Sequence, residues 1–583
     1  MDATSMDAST VPQLLRNAAA QHGDRIALRQ PSGKNVQTWT WNQYLAAAEE
    51  IAAGLQSLGI GKGDHVAICS ETTAAFYLVD QGILMNGSVS AALYPSYPPE
   101  ELIATVGRAD AKILFVENAK MLAKVKAAPV SHIILMEGTA EGYLSLADLR
   151  THGRFAADVA ADDNAILYLT SGATGDPKMV MTTQGSLARN VNMAPGVVPL
   201  GPEDCTVAFL PSAHIAQRIG VELLPIRTGT MVSFAENLGR LPNEIKAVRP
   251  TFFLAPPRVW ERMYSSIRTE VLKKSPLAQK AFYGALALGL AAARYKHAGK
   301  AIPWRISAPL KLANKIIFSK IRERLGGRLR LAVSGAAPLG ADLMEFYDAI
   351  GIPLIEAFGL TEGGVATINP VHAPRPGSIG KVLPGVEFSV SEEGELLIKS
   401  PALSSGYYKD PEATAELFQG GWLHTGDIGT IDPEGYIHIT GRSKELIVSS
   451  NGKKIFPARV ESQFKFEPLI NQILLAGDRL PHLVALITVH AAVAQTLPGV
   501  DAAKAPHADP AVQAEVQKIV ARINKQLAPF EQVKRFRILH REFSIEHGEV
   551  TATMKLRRKQ VMENFRTELD ALYNLSASGR GGE

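Results

Sequence analysis

One loop constrains this chain more than any other stretch: TSGATGDPK, at positions 170–178. An apolar run precedes it and a second short apolar stretch follows around Val180, so the pattern predicts two strands joined by a loop of small residues. Gly172 and Gly175 permit backbone conformations that turn amide N–H groups inward. The loop hydroxyls add donors and Lys178 adds a positive charge, so the loop can wrap phosphate oxygens.

The loop differs from the GxxxxGK[ST] phosphate loop of many nucleotide-binding proteins. No such spacing occurs here and no helical pattern begins after Lys178, although a helix N-terminus normally completes that site. Pro177 has no N–H to donate to a phosphate. From these residues alone, an ordinary turn between two strands is an equal alternative to a phosphate site.

Four more stretches follow in the order EAFGLTE (356–362), GWLHTGD (421–427), GRSKELI (441–447) and TATMK (551–555). Together with the loop they resemble the adenylate-forming superfamily of acyl-CoA synthetases, nonribosomal-peptide adenylation domains and firefly luciferases, in that superfamily's order and spacing. The likeness runs from about residue 11 to about residue 565. It implies ATP-dependent activation of a carboxylic acid.

The resemblance also assigns roles to single residues of the nucleotide site. It implies that Thr361 reaches the α-phosphate and that Thr170 and Glu362 hold Mg²⁺, which prefers oxygen ligands. It implies ATP binding by a larger set: Thr170, Ser171, Gly172, Thr174, Gly175, Lys178, Phe358, Gly359, Asp427 and Arg442. Within that set, Phe358 packs on adenine and Asp427 accepts both ribose hydroxyls.

Lys555 is the expected catalytic cation, together with Thr361 and Glu362. A long ammonium side chain near the end of the second domain can offset charge between the carboxylate and the α-phosphate as the adenylate forms. Taken locally, Lys555 begins the basic run KLRRK, which is also typical of a solvated face. Its position relative to the other motifs supports the catalytic role.

A hinge and a coenzyme A site follow from the same resemblance. Members of the superfamily rotate a lid domain between adenylate formation and thiol attack. Ser443 and Lys444 correspond to the hinge, and Gly452 and Lys453 to the side of the lid that meets CoA. A plain turn between two strands is the alternative for that segment.

The acyl site is expected at His214, Gly335 and Ala336. The likeness favours long-chain fatty acid–CoA ligases, although some of these close the acyl tunnel with a tryptophan a few residues beyond the histidine. Gln217 and Arg218 stand there in this chain, which leaves the chain length open. The alternatives are an acyl-AMP ligase that serves a carrier protein and a CoA ligase for an aryl or medium-chain acid.

Two loop positions depart from the superfamily pattern. Ala173 stands where Thr is usual and Met179 where Gly is usual. Loss of one neutral hydrogen bond costs about 0.5–1.5 kcal/mol, so we expect up to about tenfold weaker ATP binding, with activity retained.

Alternating strand and helix patterns predict an α/β fold, with ligands at the carboxyl ends of the strands. We expect a large N-terminal domain, residues 1–442, of helix-covered sheets plus a β-rich subdomain. A smaller, mobile α+β lid domain follows at residues 443–575. The last residues, 576–583, are too polar to pack and are expected to be disordered.

Composition excludes several other classes. A formal charge of +4 from 61 basic and 57 acidic residues argues against nucleic-acid binding. The two cysteines, Cys69 and Cys205, are expected to be buried and inert, since they lie far apart in apolar settings. No secretory signal or membrane span is apparent, so a cytoplasmic location is expected.

The segment 268–328 carries a strong local charge. It contains 14 Lys or Arg against 2 acidic residues in a helical pattern. Apolar faces with basic flanks suit an interfacial helix pair on an anionic membrane, which predicts peripheral contact with the inner face of the cell membrane. The alternative is a solvated basic face on a helical insert.

Overall fold

The structure is a computed structural model that describes residues 9–33, 35–170, 178–501, 503–551 and 555–573. These residues form a large N-terminal body of mixed sheets and helices and a smaller C-terminal α+β body. The predicted α/β fold class is confirmed. The residues predicted to be disordered, 576–583, lie outside the described part of the chain.

The largest sheet of the N-terminal body has eight strands and is parallel except at one edge. In spatial order its strands are Gly406–Tyr407, Lys178–Thr183, Asn164–Thr170, Val89–Leu93, His65–Cys69, Ala111–Val116, His132–Leu135 and Leu144–Ser145. The interior strand Val89–Leu93 is buried at every residue, Ser90 included, as expected for a parallel strand covered on both faces.

Two further sheets continue the body. The first is four-stranded, in the order Cys205–Ala208, Met231–Phe234, Ile26–Ser32 and Asn35–Thr40. The second has the order Phe252–Ala255, Leu331–Ser334, Leu354–Leu360, Gly364–Ile368 and Lys381–Val382. The first three strands of the second sheet are parallel, so their carboxyl ends meet at one edge, where the site described below lies.

The predicted β-rich subdomain is an antiparallel sheet made by the last part of the N-terminal body. Its strands are Glu387–Val390, Glu395–Lys399, Phe418–Gln419, Trp422–Ile431 and Ile437–Arg442. Burial alternates along most of Trp422–Ile431, as expected for a strand with one face on the core. This sheet carries the GWLHTGD and GRSKELI stretches.

The helices of the N-terminal body cover these sheets with apolar faces. Trp41–Ser57 begins at Thr40, whose Oγ1 accepts a hydrogen bond from the Gln43 N–H at 3.2 Å, while Gln43 Oε1 accepts from the Thr40 N–H at 2.8 Å. This reciprocal pair is a capping box. The other helices here are Val11–His22, Ala74–Met85, Pro99–Arg108, Ala119–Val125, Leu146–Leu149, Gln184–Asn192, Leu241–Val248, Pro257–Leu272, Ala341–Ala349 and Pro411–Leu417.

One helical run has an unusual backbone. Ile215–Gln217 and Leu224–Thr228 are α-helical, and Arg218–Leu223 between them is a π-helix. Single π-helical turns widen a helix and occur often at functional sites. This run forms one wall of the cavity described below.

The segment 268–328 is helical, as predicted. After the end of Pro257–Leu272 it forms Pro276–His297 and then a second arm made of Trp304–Ala313, the π-helical turn Asn314–Phe318 and Ser319–Arg324. The Phe282 and Phe318 rings lie 6.5 Å apart and help pack the two arms together.

The C-terminal body begins after Arg442 with the short 3₁₀ helix Ser443–Glu445. Its sheets comprise the pair Ile447–Val448 and Lys454–Ile455, and the set Ile470–Ala476, Leu483–Val489 and Val533–Ile538. Its helical segments are Pro457–Phe464, Ala491–Ala494, Pro506–Ala508, Pro510–Asn524, Arg558–Asn564 and Arg566–Leu572. Buried side chains such as Val460, Phe464 and Ile487 form its own apolar core.

Polar and aromatic contacts join the two bodies. The Arg258 guanidinium donates to the backbone and side-chain oxygens of Asn471, and Lys465 Nζ lies 3.5 Å from Glu261 Oε1. The Phe466 ring also packs against the apolar cluster of the N-terminal body. These contacts fix the orientation in which the C-terminal body faces the cleft.

Cys69 and Cys205 are free and buried, as predicted, and burial raises the pKa of the Cys69 thiol to about 12. Across the described residues, no helix is both long and apolar enough to cross a membrane.

Candidate active site

The phosphate-loop candidate sits between two antiparallel strands, as the sequence predicts. Thr170 ends one strand and pairs with Lys178 at the start of the next. Thr170 Oγ1 donates to the Lys178 carbonyl oxygen at 3.0 Å and closes the base of the loop. The expected phosphate contacts Ser171, Gly172, Thr174 and Gly175, and the departure Ala173, lie outside the described residues.

Tyr407 links the base of this loop to Glu362. The Lys178 ammonium lies 4.5 Å from the centre of the Tyr407 ring, and the Tyr407 hydroxyl donates to Glu362 Oε1 at 2.8 Å. Burial and the Glu362 charge raise the pKa of Tyr407, so it remains a donor. Thr361 and Glu362 follow directly after strand Leu354–Leu360. The structure thus brings two predicted ATP-site residues together through a residue that the sequence did not single out.

Asp427 and Arg442 form an ion pair across adjacent strands. They are register partners, and Arg442 Nε lies 3.0 Å from Asp427 Oδ1. Asp427 is 3% exposed, and its second oxygen, Oδ2, is buried with no hydrogen-bond partner in the part of the chain that the structure describes. Burial raises the pKa of Asp427, while Arg442 and Lys555 act to lower it. A buried charged acceptor with an oxygen still available suits a ligand that brings its own hydroxyl donors.

Lys555 reaches this site from the C-terminal body. Burial, and then the positive charge of Arg442, lower the pKa of its ammonium group, while the carboxylates of Glu445, Asp427 and Glu362 act in the opposite direction. The side chain keeps exposed surface, so its ammonium group is accessible to a ligand. The Thr551 Oγ1 accepts from the Lys555 N–H at 3.0 Å, which fixes the start of the chain segment that carries the lysine.

An apolar cavity of about 130 Å³ opens at the same cleft. The expected acyl-site residues His214, Gly335 and Ala336 line it, and so do the expected nucleotide-site residues Phe358 and Gly359. The sequence-predicted acyl residues therefore lie together, next to the nucleotide side.

The backbone shapes the mouth and the floor of this cavity. Ala336 takes the left-handed conformation with φ 69°, which turns the chain sharply after strand Leu331–Ser334. At the helical wall, a Cβ on Gly220 would lie only 2.5 Å from Leu254 Cδ2. Gly220 and Leu254 both line the cavity, so the helix and the strand meet most closely at this pair.

His214 is neutral at physiological pH in this setting. Burial and the positive charge of Lys555 lower its pKa to about 4. Its Nδ1 accepts a hydrogen bond from the Ala216 N–H at 3.1 Å and caps the helical run. The proton of the neutral ring is therefore on Nε2, the nitrogen left available for a ligand.

A buried ionic cluster lies behind the cavity wall. The Arg218 guanidinium contacts Asp80, lies 3.9 Å from Glu222 and donates to Ser90 Oγ at 3.2 Å. Gln81 donates to Glu222 at 2.9 Å. Burial, and then the charge of Asp80, raise the pKa of Glu222 well above its ordinary value. Arg218 thus belongs to the core behind the wall and does not line the cavity.

The hinge and CoA candidates lie at the start of the C-terminal body. Ser443 Oγ donates to the Gly426 carbonyl at 3.2 Å, and Lys444 lies in the 3₁₀ turn. Gly452, at φ 71°, and Lys453 form the turn between two short strands, and the Lys453 ammonium lies 6.0 Å from the Phe530 ring. The turn geometry agrees with the structural alternative, and the CoA role stays a prediction.

Residues suited to Mg²⁺ are present although they are few. Within the described ranges, no group of three or more His, Cys, Asp or Glu side chains is arranged to hold a metal. Mg²⁺ at phosphate sites typically takes one or two protein oxygens and completes its shell with phosphates and water. Glu362 Oε1 accepts from Tyr407 and Thr170 Oγ1 donates to the Lys178 carbonyl. The assignment of these two side chains to Mg²⁺ stays a prediction.

Sequence reasoning missed Tyr407 and the cluster of Asp80, Arg218 and Glu222. Tyr407 lies in a two-residue edge strand, too short to produce a pattern. Asp80 and Gln81 offered a signal, because they interrupt the otherwise apolar helix Ala74–Met85 and are both fully buried.

Comparison with known proteins agrees with this geometry. The AMP-binding enzyme family matches residues 15–408, and the C-terminal domain family of AMP-binding enzymes matches residues 444–577. The long-chain-fatty-acid–CoA ligase FadD15 of Mycobacterium tuberculosis is 32% identical over 92% of this chain and 93% of its own. The long-chain-fatty-acid–CoA ligase ACSBG2 of Rattus norvegicus is 28% identical over 97% of this chain and 93% of its own.

Among solved structures, the adenylation domain of a carboxylate reductase from Mycobacterium chelonae superposes with a TM-score of 0.80. It is 22% identical and covers 98% of this chain and 92% of its own, which supports the shared fold. From the two matched family domains and from relatives such as FadD15 that align over most of their length, we conclude that this chain belongs to the AMP-binding enzyme family.

Proposed function

We propose that the protein uses ATP to activate a long-chain fatty acid as an acyl-adenylate and then transfers the acyl group to CoA, releasing pyrophosphate and AMP. One observation carries the proposal. The ion pair of buried Asp427 with Arg442 and the apolar cavity lined by His214 and Phe358 adjoin the same lysine of the C-terminal body, Lys555. The charge of this lysine acts to lower the pKa of both Asp427 and His214. A cation placed between an acidic nucleotide site and an apolar pocket suits the joining of a carboxylate to a phosphate.

The chemistry explains why a cation is needed. A carboxylate and a triphosphate are both anions, so attack on the α-phosphorus requires oriented donors and positive charge. Lys555 stabilises the charge that develops between the two reactants, and Thr361 donates to the α-phosphate. Asp427 holds the ribose hydroxyls, so that the α-phosphate is oriented toward the mouth of the cavity.

The phosphate side relies on the loop and on Glu362. Lys178 and the loop amides receive the β- and γ-phosphates. Thr170 and Glu362 would hold Mg²⁺, which when bound neutralises charge on the leaving pyrophosphate. Tyr407 orients Glu362 for this role through its 2.8 Å hydrogen bond.

The acyl side relies on the cavity and on neutral His214. A neutral imidazole with an available Nε2–H donates to the substrate carboxylate without adding charge to the apolar mouth. The side chains of the cavity take the alkyl chain by apolar burial.

The second half-reaction requires Lys555 to leave. A thiol must approach the acyl carbonyl from the side that the lysine fills, so the C-terminal body rotates about Ser443 and Lys444. Gly452 and Lys453 then face CoA, with Lys453 binding its phosphates. The contacts between the bodies, which include the Arg258–Asn471 hydrogen bonds, the Lys465–Glu261 ion pair and the packing of Phe466, are of a kind that such a rotation can break and remake.

A second candidate is a CoA ligase for an aryl or medium-chain acid. The cavity of about 130 Å³ is close to the roughly 150 Å³ that holds one benzene molecule in an engineered core. An aryl acid matches this volume, whereas a long chain needs additional space, which movement of the Leu254 side chain beside Gly220 would supply. The identity of 32% to FadD15 favours the long-chain acid.

A substrate panel tests the proposal. The protein is mixed with MgATP, CoA and single carboxylic acids from acetate through benzoate to palmitate, with Lys555→Ala as the matched inactive control. We expect pyrophosphate and a thioester with the long acids. Thioester with benzoate alone would select the second candidate, pyrophosphate without thioester would indicate a carrier-protein acceptor, and no pyrophosphate with any acid would refute adenylation.

A further inference from the structure

The basic segment that the sequence singles out forms a helical hairpin on the surface. Its two arms are Pro276–His297 and residues 304–324, joined by a turn, and we call this unit the basic hairpin. The chain from 268 to 328 carries 14 basic and 2 acidic residues. None of the site residues described above belongs to it.

Large apolar side chains of the basic hairpin point into solvent. Leu277 is 79% exposed, Trp304 73%, Leu312 60% and Ile316 53%. Leu312 lies eight residues after Trp304, and Ile316 lies four after Leu312. All three side chains are exposed along the second arm, from Trp304–Ala313 into the π-helical turn Asn314–Phe318, so Trp304, Leu312 and Ile316 form one exposed apolar stripe.

Cations are interleaved with this stripe. Lys311 and Lys315 are exposed beside Leu312 and Ile316, and in the described part of the chain neither forms an ion pair. The Arg305 guanidinium lies 5.8 Å from the Trp304 ring centre. A face that mixes tryptophan, aliphatic side chains and exposed lysines differs from an ordinary solvated helix face, which has few exposed apolar residues.

We propose that the basic hairpin docks the protein on an anionic lipid surface. The stripe of Trp304, Leu312 and Ile316 enters the boundary between headgroups and acyl chains, where tryptophan is favoured, while Lys311 and Lys315 contact anionic headgroups. Charge complementarity favours this partner over a second copy of the chain, because two basic hairpins facing each other would repel. The proposal does not depend on catalysis, so it stands or fails separately from the proposed function.

Vesicle sedimentation tests the docking. The full chain is mixed with phosphatidylcholine vesicles with and without phosphatidylglycerol, at low and high salt. We expect binding that requires the anionic lipid and weakens with salt. Binding that is equal on neutral and anionic vesicles, or absent from both, would overturn the proposal.

Paired variants locate the surface. Trp304→Ser with Leu312→Ser should abolish sedimentation, while Leu238→Ser, at a residue 68% exposed and outside the hairpin, should leave it unchanged. Lys311→Gln with Lys315→Gln should weaken binding about thirtyfold, because each basic residue near the membrane surface contributes roughly 1 kcal/mol of attraction. The charge control is Lys525→Gln, at an exposed lysine outside the hairpin. Equal binding by the hairpin variants and their controls would overturn the assignment.

Two measurements distinguish lipid docking from misfolding and from self-association. Thermal unfolding of each variant should match the wild type, since the altered side chains are exposed, and this excludes misfolding as the cause of lost binding. Sedimentation velocity without lipid should show one species that the Trp304→Ser, Leu312→Ser pair does not change. A dimer that this pair dissociates would overturn the lipid proposal in favour of self-association.

Discussion

Replacement of Asp427 by Asn should weaken AMP binding strongly while leaving the fold intact. The side chain is buried, one oxygen meets Arg442 at 3.0 Å, and the other has no partner in the described residues. Asn keeps the shape and one carbonyl acceptor but removes the charge. The change therefore isolates the charge that the ribose hydroxyls are expected to meet.

The magnitude follows from hydrogen-bond energies. A bond to a charged group contributes about 1.5–3 kcal/mol and a neutral one about 0.5–1.5 kcal/mol. For two hydroxyls the loss is about 2–3 kcal/mol, or about 30- to 150-fold weaker AMP binding. The free energy of unfolding should not fall. Burial raises the pKa of Asp427, so its charge is unfavourable without ligand. The Arg442 side chain that loses its partner is 43% exposed and can bind water instead.

Calorimetric titration with AMP and with its 2′,3′-dideoxy analogue tests the assignment. The wild type should prefer AMP by a large factor, and Asp427→Asn should lose most of that preference while keeping its melting temperature. If the variant loses the same factor for AMP and for the dideoxy analogue, Asp427 does not meet the ribose hydroxyls. If the melting temperature collapses, the buried carboxylate is structural and the reasoning on its desolvation is wrong.

Three further outcomes follow from the site. Lys555→Gln should abolish pyrophosphate release. The pKa of Lys555 is lowered and its protonated form is active, so wild-type adenylation should decline as pH rises through that lowered pKa, at a lower pH than for an ordinary lysine. A rate that does not change at alkaline pH would contradict the role. Leu254→Ala should enlarge the cavity beside Gly220 and move the preference toward longer acids, as scored by thioester mass spectrometry; an unchanged preference would place the size limit elsewhere. Arg218→Met should leave the buried Asp80 carboxylate without its cation and destabilise the fold by about 3–5 kcal/mol. A second substitution, Asp80→Leu, should recover part of this loss in thermal unfolding. Full stability of the single variant would contradict the burial argument.

Much of the fold could be predicted from residue patterns. The apolar run before position 170 and the short apolar stretch around Val180 became the paired strands Asn164–Thr170 and Lys178–Thr183, because short apolar runs bounded by turn residues favour buried strands. The helical spacing in the segment 268–328 likewise became the basic hairpin. In each case a local pattern was sufficient.

The site needed information that no local pattern contains. The pairing of Asp427 with Arg442 depends on the register of two strands. Lys555 approaches this pair only because the C-terminal body packs on the N-terminal body. Tyr407 reaches Glu362 from an edge strand of two residues. Motif resemblance supplied Asp427, Arg442, Lys555 and Glu362. It could not supply Tyr407, because Tyr407 acts through a contact formed between distant segments.

The ionic cluster behind the cavity has a consequence for how this chain can change its substrate. Arg218 and Glu222 belong to the π-helical segment, and behind the cavity wall Arg218 pairs with both Asp80 and Glu222. Substitutions that reshape this wall must therefore also keep a buried charge balance. Leu254 and Val333 line the cavity from strands and take no part in this cluster. Divergence and engineering of acid selectivity should therefore proceed through the strand side, one apolar residue at a time, while the helical side stays constant.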